Sequence, residues 1–131
     1  MKAIQHIAFN CRDMYAQEKF YTQHFGFSRA RVFNPGTPNE FLMLRLGSAC
    51  LELFQAPADA PEKSSGEQPV GFKHLAFEVE DIYAARNVLI DSGIDIDDVI
   101  DCDIHCPGLL VCFFRDPEGN IIELMQDWQD E

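Results

Sequence analysis

The apolar and polar positions of this chain fall into two successive patterns that match each other. Over residues 3–10, Ile7 and Phe9 alternate with His6 and Ala8, the period-two pattern of a half-buried strand. Asp13 then caps a predicted helix to about residue 25, with an apolar stripe of Tyr15, Ala16, Phe20 and Tyr21 and Gly26 as its stop. A strand over 28–33 leads into the turn-rich Asn34-Pro35-Gly36-Thr37-Pro38. Strands over 41–46 and 49–55 form a hairpin about Gly47-Ser48, where Gly at the first central position suits a type II′ turn. Counting outward from that turn sets Met43 opposite Glu52 and Arg45 opposite Cys50. The other face is then Leu42, Leu44, Leu46, Leu51 and Leu53, a core surface for a helix.

The pattern then starts again. Phe72-Lys73-His74-Leu75-Ala76-Phe77 echoes Ile4-Gln5-His6-Ile7-Ala8-Phe9, and Asp81, Tyr83 and Ala84 echo Asp13, Tyr15 and Ala16. A second helix runs from its Asp81 cap to about residue 92, with Ile82, Ala85, Val88 and Leu89 inward and Gly93 as its stop. A weaker strand signal over 97–102 precedes strands over 109–115 and 120–126. These are joined by Asp116-Pro117-Glu118-Gly119, a three-residue hairpin with Gly in the left-handed position. That turn sets Phe113 opposite Glu123 and Arg115 opposite Ile121, and gathers Leu110, Cys112, Phe114, Ile122 and Leu124 on the other face. Each half therefore reads strand–helix–strand–strand–strand. The expectation is an α+β fold of one 131-residue domain, with module one over 3–55, a Pro/Gly/Ser linker over 56–71, module two over 72–126 and an acidic tail over 127–131. One apolar sheet face per module meets the helix, and the mixed face lines a concavity.

Composition narrows the class. The net charge of −12 lacks the basic footprint that nucleic acid or an anionic membrane surface requires. No apolar run approaches the roughly 20 residues that span a bilayer, and the start has no signal-peptide core, so the chain reads as cytoplasmic. Five cysteines are odd in number, and Cys50 and Cys112 sit in strand-like apolar runs, which fits reduced thiols.

The mixed faces carry the chemistry. His6 and Glu52 stand in the first module and His74 and Glu123 in the second, the His in the first strand of each and the Glu in the last. A carboxylate centred in an otherwise apolar strand must be exposed, paired or on a metal. Neutral imidazoles and carboxylates are good ligands for borderline divalent ions, and the same pair at the same register in both repeats makes this quartet the candidate metal site. Arg45 and Arg115 occupy equivalent positions beside Met43 and Phe113, where they could bind an anionic end of a substrate. The Cys102-Asp103-Ile104-His105-Cys106 spacing matches no common zinc pattern and reads as a mobile loop. Trp128 in the tail is open to two readings, a subunit interface or a cleft mouth.

From His6 to Gln126 the paired units and their quartet resemble the vicinal oxygen chelate superfamily, which includes glyoxalase I, methylmalonyl-CoA epimerase, extradiol dioxygenases, fosfomycin-modifying enzymes and metal-free bleomycin-binding proteins. The resemblance implies tandem βαβββ modules with mixed sheets forming a cupped site, and a homodimer. It implies one divalent metal per site on His6, Glu52, His74 and Glu123, with Ni, Co, Zn or Mn for proton transfer and Fe for a dioxygenase. The second glutamate resembles glyoxalase I. That likeness implies a lyase or isomerase moving a proton next to a carbonyl of a small-molecule substrate through a metal-bound enediolate, with Glu123 as base and Glu52 as its partner. Asn10 and Ala56 depart from the residues that commonly hold glutathione in glyoxalase I. The passages 46–55 and 72–82 also look like the epimerase, which implies an acyl-CoA thioester as the alternative substrate. A metal-free drug-binding protein is the rival from another class.

Overall fold

The structure, a computed structural model, describes residues 4–61 and 72–130. Most of the expected 56–71 linker lies outside the described residues, as do Ala3 and Glu131. The chain forms two compact units, residues 1–63 and 64–131.

Unit one runs β1 (His6–Cys11), α1 (Met14–His24), β2 (Ser28–Phe33), β3 (Phe41–Leu46) and β4 (Ala49–Gln55). Its sheet order is β1-β4-β3-β2, with β1 parallel to β4 and the other pairs antiparallel. Unit two repeats this as β5 (Leu75–Glu78), α2 (Ile82–Asp91), β6 (Ile100–Asp101), β7 (Leu110–Arg115) and β8 (Ile121–Gln126), in the order β5-β8-β7-β6. Two four-stranded mixed sheets with one helix each are the α+β tandem-module fold that the sequence pattern implies.

Both hairpin registers are as counted from their turns: Met43 faces Glu52, Arg45 faces Cys50, Phe113 faces Glu123 and Arg115 faces Ile121. Gly47 and Gly119 take φ of +55° and +77°, the left-handed region that each turn requires. Asp116 holds the second turn from within. Its Oδ1 accepts from the backbone N–H of Glu118 (3.0 Å) and Asn120 (2.9 Å), and its Oδ2 accepts from Asn120 Nδ2 (2.9 Å).

Leu42, Leu44, Leu51 and Leu53 are fully or almost fully buried, and α1 packs on their sheet. Cys112, Phe114, Ile122 and Leu124 form the matching layer beneath α2. Leu46 differs, being 37% exposed where the hairpin end runs past the helix.

Both helices begin as expected, with Asp13 accepting from the N–H of Tyr15 and Ala16, and Asp81 from that of Ala84. A second tie was not anticipated. Gln55 Oε1 accepts from Met14 N–H (3.3 Å), and its repeat Gln126 Oε1 accepts from Ile82 N–H (2.9 Å). Each last strand thus satisfies an orphan amide in the first turn of its module's helix.

The buried stripes correct the sequence reading. On α1 the buried positions are Met14, Gln17, Glu18 and Tyr21, while Tyr15 and Ala16 are exposed. The spacing is that of a helix face, but two of its members are polar. Glu18 is tolerated there because Arg29 of β2 forms a two-pronged ion pair with it, which raises the Arg29 pKa above its ordinary value. On α2, Ile82 and Leu89 are buried and Val88 is 61% exposed, because seven residues bring a helix back to the same side while Val88 lies about 120° away.

Two strands are shorter than the pattern implies. The 97–102 strand is reduced to Ile100–Asp101 with a bridge from Ile96 to Phe114. The acidic Asp95–Asp98 stretch disfavours strand, and Arg86 of α2 takes the Asp97 carbonyl oxygen (2.8 Å) instead. β5 runs only from Leu75 to Glu78, so His74, expected in the first strand of its module, stands just before it.

Candidate metal and substrate site

In unit one the mixed face is built of three rows that cross the sheet from β2 to β3, β4 and β1. The first is Ser28, Arg45, Cys50 and His6; the second is Arg31, Met43, Glu52 and Ala8; the third is Phe33, Phe41, Phe54 and Asn10. His6 is therefore diagonal to Glu52, with Ala8 directly beside the carboxylate. That small side chain leaves the imidazole a path, and His6 Nε2 lies 3.6 Å from Glu52 Oε2.

Unit two reproduces the arrangement. Ala76 is the lateral neighbour of Glu123, and Phe113 faces it on the other side. His74 stands one residue ahead of β5 rather than within it, yet its Nε2 lies 2.9 Å from Glu123 Oε2. Phe113 packs edge-on against the His74 ring at 5.9 Å. Glu123 is only 9% exposed, and His74 Nδ1 is buried with no hydrogen-bond partner among the described residues.

The hydrogen bonds around His6 bear on what the pair can hold. Gln5 Nε2 donates to Cys50 Sγ (3.7 Å), so its carbonyl end faces His6 Nδ1 at 2.5 Å, an arrangement that suits the tautomer with its proton on that nitrogen. The Nε2 lone pair is then left pointing at a carboxylate, an unfavourable meeting of two acceptors unless a cation or proton lies between them. Ligand bonds of about 2.0–2.2 Å place neighbouring donor atoms on one ion roughly 3.0–3.4 Å apart, close to the separations in both units. The donor chemistry and the spacing fit a borderline divalent metal. Among the described residues neither unit by itself gathers three or more His, Cys, Asp or Glu side chains for an ion. Each unit offers one His–Glu pair.

The other expected site residues divide. Met43 and Phe113 flank the two glutamates. Arg115 is occupied by its own turn, donating from Nη1 to Gly119 O (2.7 Å), whereas Arg45 is exposed with no hydrogen bond or ion pair among the described residues. The 102–106 segment is a packed turn. Its Cys106 is buried with Leu109 and Val111, and Cys102, Phe113 and Met125 pack against them. Trp128 is exposed and its Nε1 donates to Asp130 (2.9 Å).

Sequence reasoning missed Arg31 and the phenylalanines. The register slips between Arg29 and Arg31, where Ala30 forms a bulge. Two residues apart, these arginines would share a face in a regular strand. The bulge instead sends Arg29 to the helix side and Arg31 to the mixed face.

Duplicated modules that each present a His–Glu pair on the sheet face away from the helix define a class of small α+β proteins. The chain belongs to the Glyoxalase/Bleomycin resistance protein/Dioxygenase superfamily, whose family model matches residues 3–124. It is 31% identical over 128 residues to the uncharacterized protein YwkD of Bacillus subtilis (strain 168), covering 96% of this chain and 98% of that one. The uncharacterized protein YaeR of Escherichia coli (strain K12) is likewise 31% identical over 128 residues, covering 96% and 97%. Among solved structures, the glyoxalase family protein from Enterococcus faecalis superposes with a TM-score of 0.81 at 34% identity, covering 95% of this chain and 97% of that one.

Proposed function

We propose that this chain is a metal-dependent lyase or isomerase that moves a proton next to a carbonyl of a small molecule, with His6, Glu52, His74 and Glu123 as its ligand set. The observation that carries the reading is the repeated approach of an imidazole Nε2 to a carboxylate, at 3.6 and 2.9 Å, one pair in each unit. A divalent ion there supplies Lewis-acid polarisation of a substrate carbonyl oxygen. The residues supply the rest. Glu123, buried between its lateral neighbours Phe113 and Ala76, takes the proton from the substrate carbon, and Glu52, partly exposed, is the second carboxylate to hold or return it. Met43 and Phe113 are the apolar cross-strand neighbours of Glu52 and Glu123. The five free cysteines suit a reducing, cytoplasmic setting, and a homodimer is the assembly we expect.

Metal content per chain, measured by plasma mass spectrometry on wild type and His74→Ala, tests the first half of this reading. About one Ni, Co, Zn or Mn per chain, lost in the variant, is the expected result. Hemithioacetals of methylglyoxal with several thiols, and acyl-CoA thioesters, would then be assayed in deuterated water for label at the carbon next to the carbonyl. Label in an acyl-CoA alone would reassign the chain to thioester epimerisation. Iron with oxygen consumption would point to a dioxygenase, and no metal after incubation with each ion would move the function to a metal-free binding protein.

A further inference from the structure

Beside Glu52, unit one carries an aromatic row with no counterpart among the described residues of unit two. Phe33, Phe41 and Phe54 stack across three strands, with ring centroids 4.4 and 4.6 Å apart and interplanar angles of 4° and 20°. All three are half-buried on the mixed face. Rings stacked side by side turn their electropositive edges outward, and those edges favour the π-face of a planar group laid across them. The corresponding face of unit two is mainly aliphatic around Glu123, with Val111, Met125 and Ile121 beside Phe113.

Ten cations stand against 22 carboxylate side chains on this chain, and most of the arginines are engaged. Of six arginines, Arg29 is paired with Glu18, Arg86 with Asp98, Arg115 with Gly119 O and Arg12 with Ala60 O. The guanidinium groups of Arg31 and Arg45 make no hydrogen bond or ion pair among the described residues, and both lie on the mixed face. Arg31 sits over the outer end of the aromatic row, its guanidinium carbon 5.6 Å from the Phe33 centroid. A guanidinium held against a ring loses little freedom on binding and still offers its N–H fork to a carboxylate. In a protein of net charge −12, a cation with no ion-pair partner among the described residues, re-aimed by a bulge onto this face, points to an anionic ligand.

Resting on the small-molecule reading above, we propose that Arg31 and the Phe33–Phe41–Phe54 row form the substrate-recognition subsite, and that the substrate is a planar unsaturated carboxylate. Its anionic end is held by Arg31 and its ring lies over the phenylalanine edges and Met43. Arg31 and Glu52 are two strands apart in one row, so about 9–10 Å separates their backbones. That span matches an aryl group with a short carbonyl-bearing arm reaching toward Glu52.

The test is a titration of the chelator-treated full chain, followed by backbone amide shifts, with 2-naphthoate, 2-naphthamide and cyclohexanecarboxylate as probes. Naphthoate is expected to bind saturably and to shift the amides of Arg31, Phe33, Phe41 and Phe54. Naphthamide, lacking the charge, is expected to bind about tenfold more weakly, and cyclohexanecarboxylate more weakly than naphthoate. Arg31→Gln should bring naphthoate down to the naphthamide level, with Arg31→Lys between, because Lys keeps the charge without the fork. Phe41→Leu should weaken both aromatic probes and leave their ratio intact. Absence of saturable shifts, shifts elsewhere in the chain, or an unchanged naphthoate affinity in well-folded Arg31→Gln would overturn the subsite. Because no metal is present, failure here with normal metal loading rejects only the substrate class, and naphthoate binding by a chain that takes up no metal rejects only the metal reading.

Discussion

His74 Nε2 lies 2.9 Å from Glu123 Oε2, while Nδ1 of the same ring is buried without a hydrogen-bond partner among the described residues. The glutamate thus holds one edge of the ring and Phe113 packs against it. In the metal-dependent reading proposed above, this oriented imidazole and 9% exposed carboxylate supply two of the four ligands. Replacing Glu123 by Gln keeps the shape and removes the charge. Zinc affinity, measured by competition with a chelating dye, should fall by at least about tenfold in Glu123→Gln and also in Glu52→Gln. Unaltered affinity in both would remove the glutamates from the ligand set.

The two alanines beside the glutamates, Ala8 and Ala76, leave room for the imidazoles to approach them. Ala8 and Ala76 are exposed, so Ala8→Val and Ala76→Val disturb no core packing and add strand-favouring side chains. Each should keep its unfolding free energy within about 0.5 kcal/mol of wild type. Metal affinity should nonetheless drop, because the added methyls occupy the diagonal path from His to Glu. Normal metal binding in both would show that the alanines have no spacing role.

Gln126→Ala removes the acceptor for Ile82 N–H and leaves an amide in the first turn of α2 without its protein partner. The expected loss is about 1 kcal/mol in urea denaturation, and a similar loss is expected for Gln55→Ala in unit one. A cost below the error of the measurement in both would mean that water replaces these bonds without penalty.

Burial raises the Cys112 thiol pKa above its ordinary value, desolvation being the largest cause. The folded thiol keeps its proton at pH values where the unfolded thiol, with an ordinary pKa of about 8.5, loses it. The stabilising contribution is complete below that pH and is lost as pH rises toward the folded value. Wild type should therefore lose more stability than Cys112→Ala between about pH 8 and pH 10. At neutral pH the variant should be about 1–2 kcal/mol less stable, from the cavity in the sheet's core face. A gap between the two that does not narrow with pH would contradict the assignment.

Much of the fold is legible along the chain because its determinants are local. Two turns with glycine in a left-handed position fixed both hairpin registers, and register fixed which side of the sheet Glu52 and Glu123 occupy. The repeated His-x-Ala and Glu-Leu signals placed one His and one Glu in each module. The sequence by itself therefore determined the two α+β modules, their leucine- and isoleucine-rich core faces and the four residues on which the metal reading rests. Only the tertiary structure decided the rest, because it depends on contacts between residues far apart in sequence. Glu18 lies inward because Arg29 from another element neutralises it, against the pattern that would keep a carboxylate outside. Arg31 reaches the site face because the strand bulges at Ala30, and a single inserted residue inverts every alternation that follows it.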